Sequence, residues 1–343
     1  MARRTLGKPR FYADILQYIK TIGKYDSSSN PEIFNMNPSN SQDYTIPANS
    51  TEDYDFKTRA TDGAGGSISQ LLSISSNLYY GILGHNFYDS DVVWGAKYKT
   101  DDGYSSPIVD SSSIFYNGSS DGSNVYTKPA YNGYSIVIPT SSDVEANGQQ
   151  ISLKIYNKSD QDKDVRIGAF TFGRYYEPEH SFELQASLID DYDGVTLSNT
   201  LGGSTIANIT NLGQPKWGSG FPAWTLAKDE TVSNYDYSVG AKKGRRQWKV
   251  GLSYLSDDKL FYKHTNHNEF YDYDEDDDTY EIDTDSIAGF FKLSLNGKLP
   301  FLFTPDASLS NPELAICRIT NKPSFKQVAN NLFSTSLVIT ETW

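Results

Sequence analysis

His264 and His267 stand three residues apart, close enough to meet on one helix face as two ligands of a zinc ion. No third ligand follows at a suitable spacing, so a metal is not expected there. The run from Asp272 to Asp285 has the oxygen density for calcium. It lacks the turn glycine and the closing glutamate of a calcium loop, and reads as a solvated, self-repelling insertion at 271–285. Glu177 with Glu179, and Asp190 with Asp191, could serve as acid and base on a glycosidic bond. With 43 acidic residues in the chain, such pairs arise anywhere and point to nothing. Cys317 is the single cysteine, and Ile316 and Ile319 beside it suggest a buried thiol rather than a nucleophile.

Two further groups are more distinctive. His85 and Asn86 follow an apolar run, and two readings of them stand. In one, the ring and the amide hydrogen-bond the backbone of a turn and fix the exit of a strand. In the other they line a sugar pocket with Tyr88, Trp94 and Tyr116. Arg245 and Arg246 beside Trp248 resemble a nucleic-acid patch, but 43 acidic against 30 basic residues give a net charge of -13, which disfavours nucleic acid as the main ligand. Arginines on a strand suit carboxylates of a neighbouring subunit better, because the bidentate pair fixes orientation. No P-loop or dinucleotide fingerprint is present, nor a coil repeat. No catalytic residue, enzyme activity or cofactor is expected.

The elements that must position these residues are short strands. Tyr (25) and Phe (17) dominate the apolar set, and Gly, Ser, Asn and Asp punctuate it every few residues, which favours a mainly β chain. Apolar or alternating runs at Tyr54 to Lys57, Asn77 to Gly84, Val92 to Lys97, Ser135 to Pro139, Ile151 to Tyr156 and Arg166 to Phe172 predict a β-sandwich over 51–182. A Gly- and Asn-rich connector at 183–243 is expected either to hold a hairpin near Gly202 and Gly203 or to bridge subunits. In the last unit, 244–343, Trp248, Val250, Leu252 and Tyr254 alternate along one predicted strand, and Phe333, Thr335, Leu337 and Ile339 along another. Ser256 and Ser286 are placed to cap two short helices, with Gly297 as the stop of the second. Residues 1–50 read as an arm: Arg3, Arg4 and Arg10 make it basic, Ile15, Ile19 and Ile22 suggest one short helix from Phe11, and a Ser-, Asn- and Pro-rich loop follows. The arm either packs on its own chain or reaches an acidic neighbour. Neither a secretory leader nor an apolar run of about 18 residues is present, so membrane insertion is not expected.

Two resemblances follow. NLYYGILGHNFYDSDVVWGAKY and VRIGAFTFGRYYEP, within 51–182, resemble the discoidin-like, galactose-binding type of jelly roll found in virion proteins of tailed bacteriophages. His85 and Asn86 are the distinctive part. Residues 244–343 are similar to the tail-tube and distal-tail barrel proteins of the same viruses: an Arg-rich strand (Arg245, Arg246, Trp248), a short helix, Gly297 with Phe301 and Phe303, an Arg-bearing strand (Cys317, Arg318), and a last strand ending in Glu341 and Trp343. The acidic insertion departs from that pattern.

These resemblances imply a jelly-roll sandwich followed by a small β-barrel or sandwich with one or two short helices. They imply a virion protein, built in the bacterial host cytoplasm, that acts by assembly in the tail or its tip. Its partners would be copies of itself in a ring or trimer and other virion proteins, through Arg3, Arg4, Arg10, Arg245, Arg246, Trp248, Glu341 and Trp343. A glycan-binding module for host surface polysaccharide, a glycan-cleaving enzyme, and a head fibre or decoration protein are the other placements.

Overall fold

Asp14 ends a strand and caps a helix, and the strand lies between the two halves of the molecule. The computed structural model describes residues 7–23, 25, 32–38, 40–57, 77–100, 103–107, 119–121, 124–129, 132–138, 150–183, 187–191, 195–209, 245–260, 286–308 and 314–342. The chain opens with β1 (Arg10–Asp14), α1 (Ile15–Thr21), β2 (Gln42–Ile46), β3 (Thr51–Lys57), β4 (Leu78–His85) and α2 (Phe87–Ser90). There follow β5 (Val93–Thr100), β6 (Gly103–Pro107), β7 (Ser119–Asp121), β8 (Asn124–Tyr126), β9 (Gly133–Val137), β10 (Gln150–Tyr156), β11 (Lys163–Ile167) and β12 (Ala169–Tyr176). The connector holds β13 (Ser187–Asp191), β14 (Val195–Asn199) and β15 (Thr205–Ile209). The last part holds β16 (Arg245–Ser256), α3 (Asp257–Leu260), α4 (Ile287–Leu293), β17 (Phe301–Thr304), β18 (Ala315–Ile319), β19 (Phe325–Ala329) and β20 (Leu332–Glu341).

The fold is mainly β, as composition and turn spacing predict, and its described strands do not close into a barrel. In the first half, β3, β10, β5 and β6 form one sheet, which faces β12, β4 and β9 of the large sheet. Ile151, Leu153 and Ile155 alternate inward along β10, and Tyr80 from β4 meets Trp94 from β5 edge to face at 5.5 Å. Each such ring contributes about 2 kcal/mol of apolar burial. The expected strand from Arg166 to Phe172 is two strands, because the chain changes sheets at Gly168. A Cβ there would lie 2.6 Å from the Pro38 carbonyl oxygen and 2.7 Å from that of Leu83.

In the second half, β16, β20, β18 and β17 carry one face of buried apolar side chains, against which α4 lies. Phe290 of α4 contacts Phe301 at 5.1 Å, and Trp248 contacts Phe303 at 5.2 Å. Ser286 caps α4 by accepting the Gly289 N–H at 3.1 Å, and Gly297 closes the turn after it with φ +74°, both as expected. Along β20 the buried row of Thr335, Leu337 and Ile339 continues to Glu341. Along β16 the alternation breaks: a bulge between Leu252 and Leu255 puts Tyr254 at φ +60°, 63 % exposed, and returns Leu255 to the core.

The largest difference from the sequence-based expectation concerns the N-terminal arm. The segment from Arg10 is strand before it is helix, and β1 is hydrogen-bonded to β12 on one side and to β17 on the other. One ten-stranded sheet therefore runs across both halves, in the order β13, β16, β20, β18, β17, β1, β12, β4, β9, with β19 on β20. Phe11 supplies the reason: its ring packs at 5.2 Å on both Phe290 and Phe303, joining the second-half core to Tyr176 of β12. The loop behind it also contributes core, since Phe34 is buried edge to face against Phe56 and Phe170. Arg3, Arg4, Tyr116, His264, His267, Trp343 and the acidic run lie outside the described residues.

Candidate functional site

At the exit of β4 the chain bulges at Gly84, whose φ of +67° a side chain rarely adopts. The bulge delivers His85 into the core, fully buried. Its Nδ1 accepts the Phe87 N–H at 3.3 Å, which leaves the proton on Nε2, 3.0 Å from the Ser135 hydroxyl. Burial lowers the His85 pKa to about 3, so the ring is neutral. Asn86 ties the same turn to β11: its Oδ1 accepts the Arg166 N–H at 2.6 Å, and its Nδ2 donates to the Asp164 carbonyl. Of the two readings of this pair, the turn-fixing one describes these contacts. The sugar pocket is not gathered: Trp94 is buried in the sandwich and Tyr88 is 53 % exposed on α2, so His85 and Trp94 present nothing to a ligand.

The expected interface arginines are also placed differently. Arg246 is buried, and its guanidinium grips Glu341 through Nε at 2.9 Å and Nη2 at 2.7 Å. The Arg246 N–H adds a contact to the same carboxylate at 3.2 Å, and the guanidinium lies 5.2 Å from the Trp248 ring. Arg246, Trp248 and Glu341 thus join β16 to β20 within one chain rather than waiting for a neighbour. Cys317 pairs in register with Glu341, and burial, then that carboxylate, push its thiol well up, which makes it a core residue. Arg245 continues β16 opposite Asp191. Arg10 binds Glu177 through Nε at 2.9 Å and Nη2 at 2.6 Å, with Lys8 at 3.6 Å and the Tyr175 ring 4.4 Å away. Glu177 is therefore an intrachain ion-pair partner for the N-terminal strand.

Asp14 was not singled out from the sequence. Its Oδ1 accepts the N–H groups of Leu16 at 2.8 Å and Gln17 at 3.3 Å, while Oδ2 is buried and, among the described residues, within hydrogen-bond geometry of no donor, Thr171 being a weaker neighbour of the carboxylate. Burial raises its pKa to about 7, offset in part by those two amides, by Thr171 and by the charge of Lys20. The signal available was an acidic residue directly before the apolar pair Ile15 and Leu16, the position of an N-cap.

What faces solvent is of another kind. β13 pairs only with β16 and β19 only with β20 among the described residues, so both present a strand edge. The hairpin of β14 and β15 turns at Thr200 to Ser204, with Gly203 at φ +83°, where the connector was expected to hold one. Among the described residues no group of three His, Cys, Asp or Glu side chains could hold a metal, and no helix is long and apolar enough to cross a membrane. No protein-family model, curated protein or solved structure matches the chain.

Proposed function

We propose that this chain is a structural subunit of a tailed-bacteriophage virion, in the tail or its tip, that acts by assembling with its own copies and with other virion proteins rather than by catalysis. The motifs around His85 and along Gly244 to Trp343 motivate the virion class. One observation carries the assembly role. Among the described residues His85, Arg246, Glu341 and Cys317 are spent inside the framework, while strand edges and an uncharged hairpin lie at the surface. Such edges and apolar projections are what subunit contacts are made from. Mass spectrometry and electron microscopy of purified particles test the reading: the chain is expected in stoichiometric copies in the tail, and its absence from particles overturns it.

A glycan-binding role is the second reading, and Tyr88 favours it. This exposed ring stands beside Asp89, whose carboxylate accepts the Asn132 amide at 2.6 Å, an arrangement suited to stacking and hydroxyl contacts with a sugar. Calorimetry with host surface polysaccharide distinguishes it, since Tyr88→Ala abolishes binding only if this surface holds the sugar.

A further inference from the structure

Lys20 and Asn35 meet where α1 ends. The Lys20 Nζ lies 2.5 Å from the Asn35 Oδ1, and both residues are half-buried. A carbonyl bond is about 1.23 Å long, so Nζ stands within about 3.7 Å of the Asn35 amide carbon Cγ. Both groups are held in place. Lys20 sits in the last turn of α1, which the N–H groups of Ile22 and Gly23 close on the carbonyls of Tyr18 and Lys20. The Gln17 side chain donates to the Phe34 carbonyl at 2.6 Å, the Asn35 N–H donates to the Glu32 carbonyl at 3.2 Å, and the Asn35 carbonyl accepts the Asn37 N–H at 2.7 Å. The backbone is thus fixed on both sides of Asn35. The Tyr25 ring, stacked on Phe56, lies 5.7 Å from Nζ and screens it from water on that flank. Burial lowers the Lys20 pKa against the opposing charges of Asp14 and Glu32, so more of the amine is neutral than at an exposed lysine.

We propose that Lys20 and Asn35 join in an intramolecular isopeptide bond that staples the end of α1 to the loop at 32–38. The neutral Nζ attacks Cγ, the Cγ–Nζ bond forms and the Cγ–Nδ2 bond breaks. One proton of the amine stays as the new amide N–H, the other passes to Nδ2, and that nitrogen leaves as ammonia. No oxidant or second reactant is needed. An amide is a poor electrophile, and holding the amine in contact with it supplies the effective concentration that an encounter in solution lacks. Glu32 is the carboxylate to carry the proton from Nζ to Nδ2: it shares the turn of Asn35, acts on the Lys20 charge, and is tethered by the Asn40 amide at 3.0 Å. The bond forms in the free chain and is independent of the virion reading. Its effect is mechanical. The helix that follows the central strand β1 becomes covalently tied to the loop whose Phe34 is buried against Phe56 and Phe170.

Intact-mass measurement of the full chain, purified folded and incubated for days, tests the proposal. The wild type is expected to weigh less than its sequence by one ammonia. Trypsin then no longer cuts after Lys20, and residues 11–24 emerge joined to residues 25–57. Lys20→Arg and Asn35→Ala are expected to keep the full mass. Glu32→Gln is expected to slow bond formation at least about tenfold with an unchanged far-ultraviolet circular dichroism spectrum. A folded wild type that keeps the full mass overturns the proposal, and this is read without any variant. So does an ammonia deficit that persists in Lys20→Arg and is cleaved by hydroxylamine, which assigns the loss to a succinimide at a step such as Asn296–Gly297. Bond formation at the wild-type rate in Glu32→Gln overturns the part given to Glu32.

Discussion

The Arg246 guanidinium and the Glu341 carboxylate form a forked pair, 2.9 and 2.7 Å, inside the second half of the sheet. Because both side chains are buried, the pair is a commitment: alone, either charge is stranded in a medium that solvates it poorly. Glu341→Ala or Arg246→Ala is expected to destabilise the chain by about 3–5 kcal/mol. The double variant Arg246→Met, Glu341→Leu is expected to restore most of that. Denaturant unfolding of the three variants checks it, and an exposed pair would give a loss below about 1 kcal/mol instead.

Gly173 tests the central place of β1. It pairs with Asp14, and a Cβ there would collide with the Ala13 carbonyl oxygen, so Gly173→Ala must push β1 away from β12. A loss above about 3 kcal/mol, or insoluble expression, is expected, since backbone cannot swing aside as a side chain can. Gly202→Ala is the control: it sits in the hairpin turn, where a Cβ meets nothing closer than the Thr200 hydroxyl at 4.0 Å, and its thermal midpoint should match the wild type. A free arm would make the two substitutions equally harmless.

What the sequence disclosed follows from which physical signals are local. Alternation along β20 is local, and the row of Thr335, Leu337 and Ile339 shows in the chain as it does in the sheet. Extending that row by one step would have placed Glu341 inside and demanded a cation. Arg246 is that cation, yet the two are far apart in sequence and nothing in either segment names the other. The bulge at Tyr254 is set by pairing with β20, so its effect on alternation is not written in the strand itself. The same holds for β1. Ile15, Ile19 and Ile22 give the helix, but five residues of strand before it gain their partners only from β12 and β17. His85 was distinctive in type; its burial depends on a glycine bulge and on Ser135 across the sheet.

Asp14 predicts a pH dependence of unusual sign for an acid. Its folded pKa of about 7 lies above the ordinary value of 3.8, so between those values the folded state holds a proton that the unfolded state has released. Its contribution to stability is therefore present at low pH and lost as pH rises towards about 7. Asp14→Asn keeps a good helix cap without the ionisation. The variant is expected to gain on the wild type from pH 4 to pH 8, by at most about 4 kcal/mol. Urea midpoints measured across that range check it, and parallel curves would place the carboxyl in contact with water.

His85 acts in the opposite direction over an overlapping window. Its ring is neutral when folded, with a pKa of about 3 against 6.5 when free, so as pH falls below about 6.5 the unfolded chain gains protons that the folded chain refuses. Stability from His85 is thus kept above that point and lost on acidification, while stability from Asp14 is lost as pH rises from 3.8 towards about 7. The two slopes oppose each other, and between about pH 4 and 6.5 the wild type should be flatter than either single variant. Asp14→Asn leaves the histidine slope, with stability climbing as pH rises. His85→Gln leaves the aspartate slope, with stability falling as pH rises, beneath a uniform loss of about 1–3 kcal/mol for the disturbed Ser135 and Phe87 contacts. Opposite slopes in the two variants, and a near-flat double variant, are the expected outcome. Slopes of the same sign would mean that one of these groups is not buried as described.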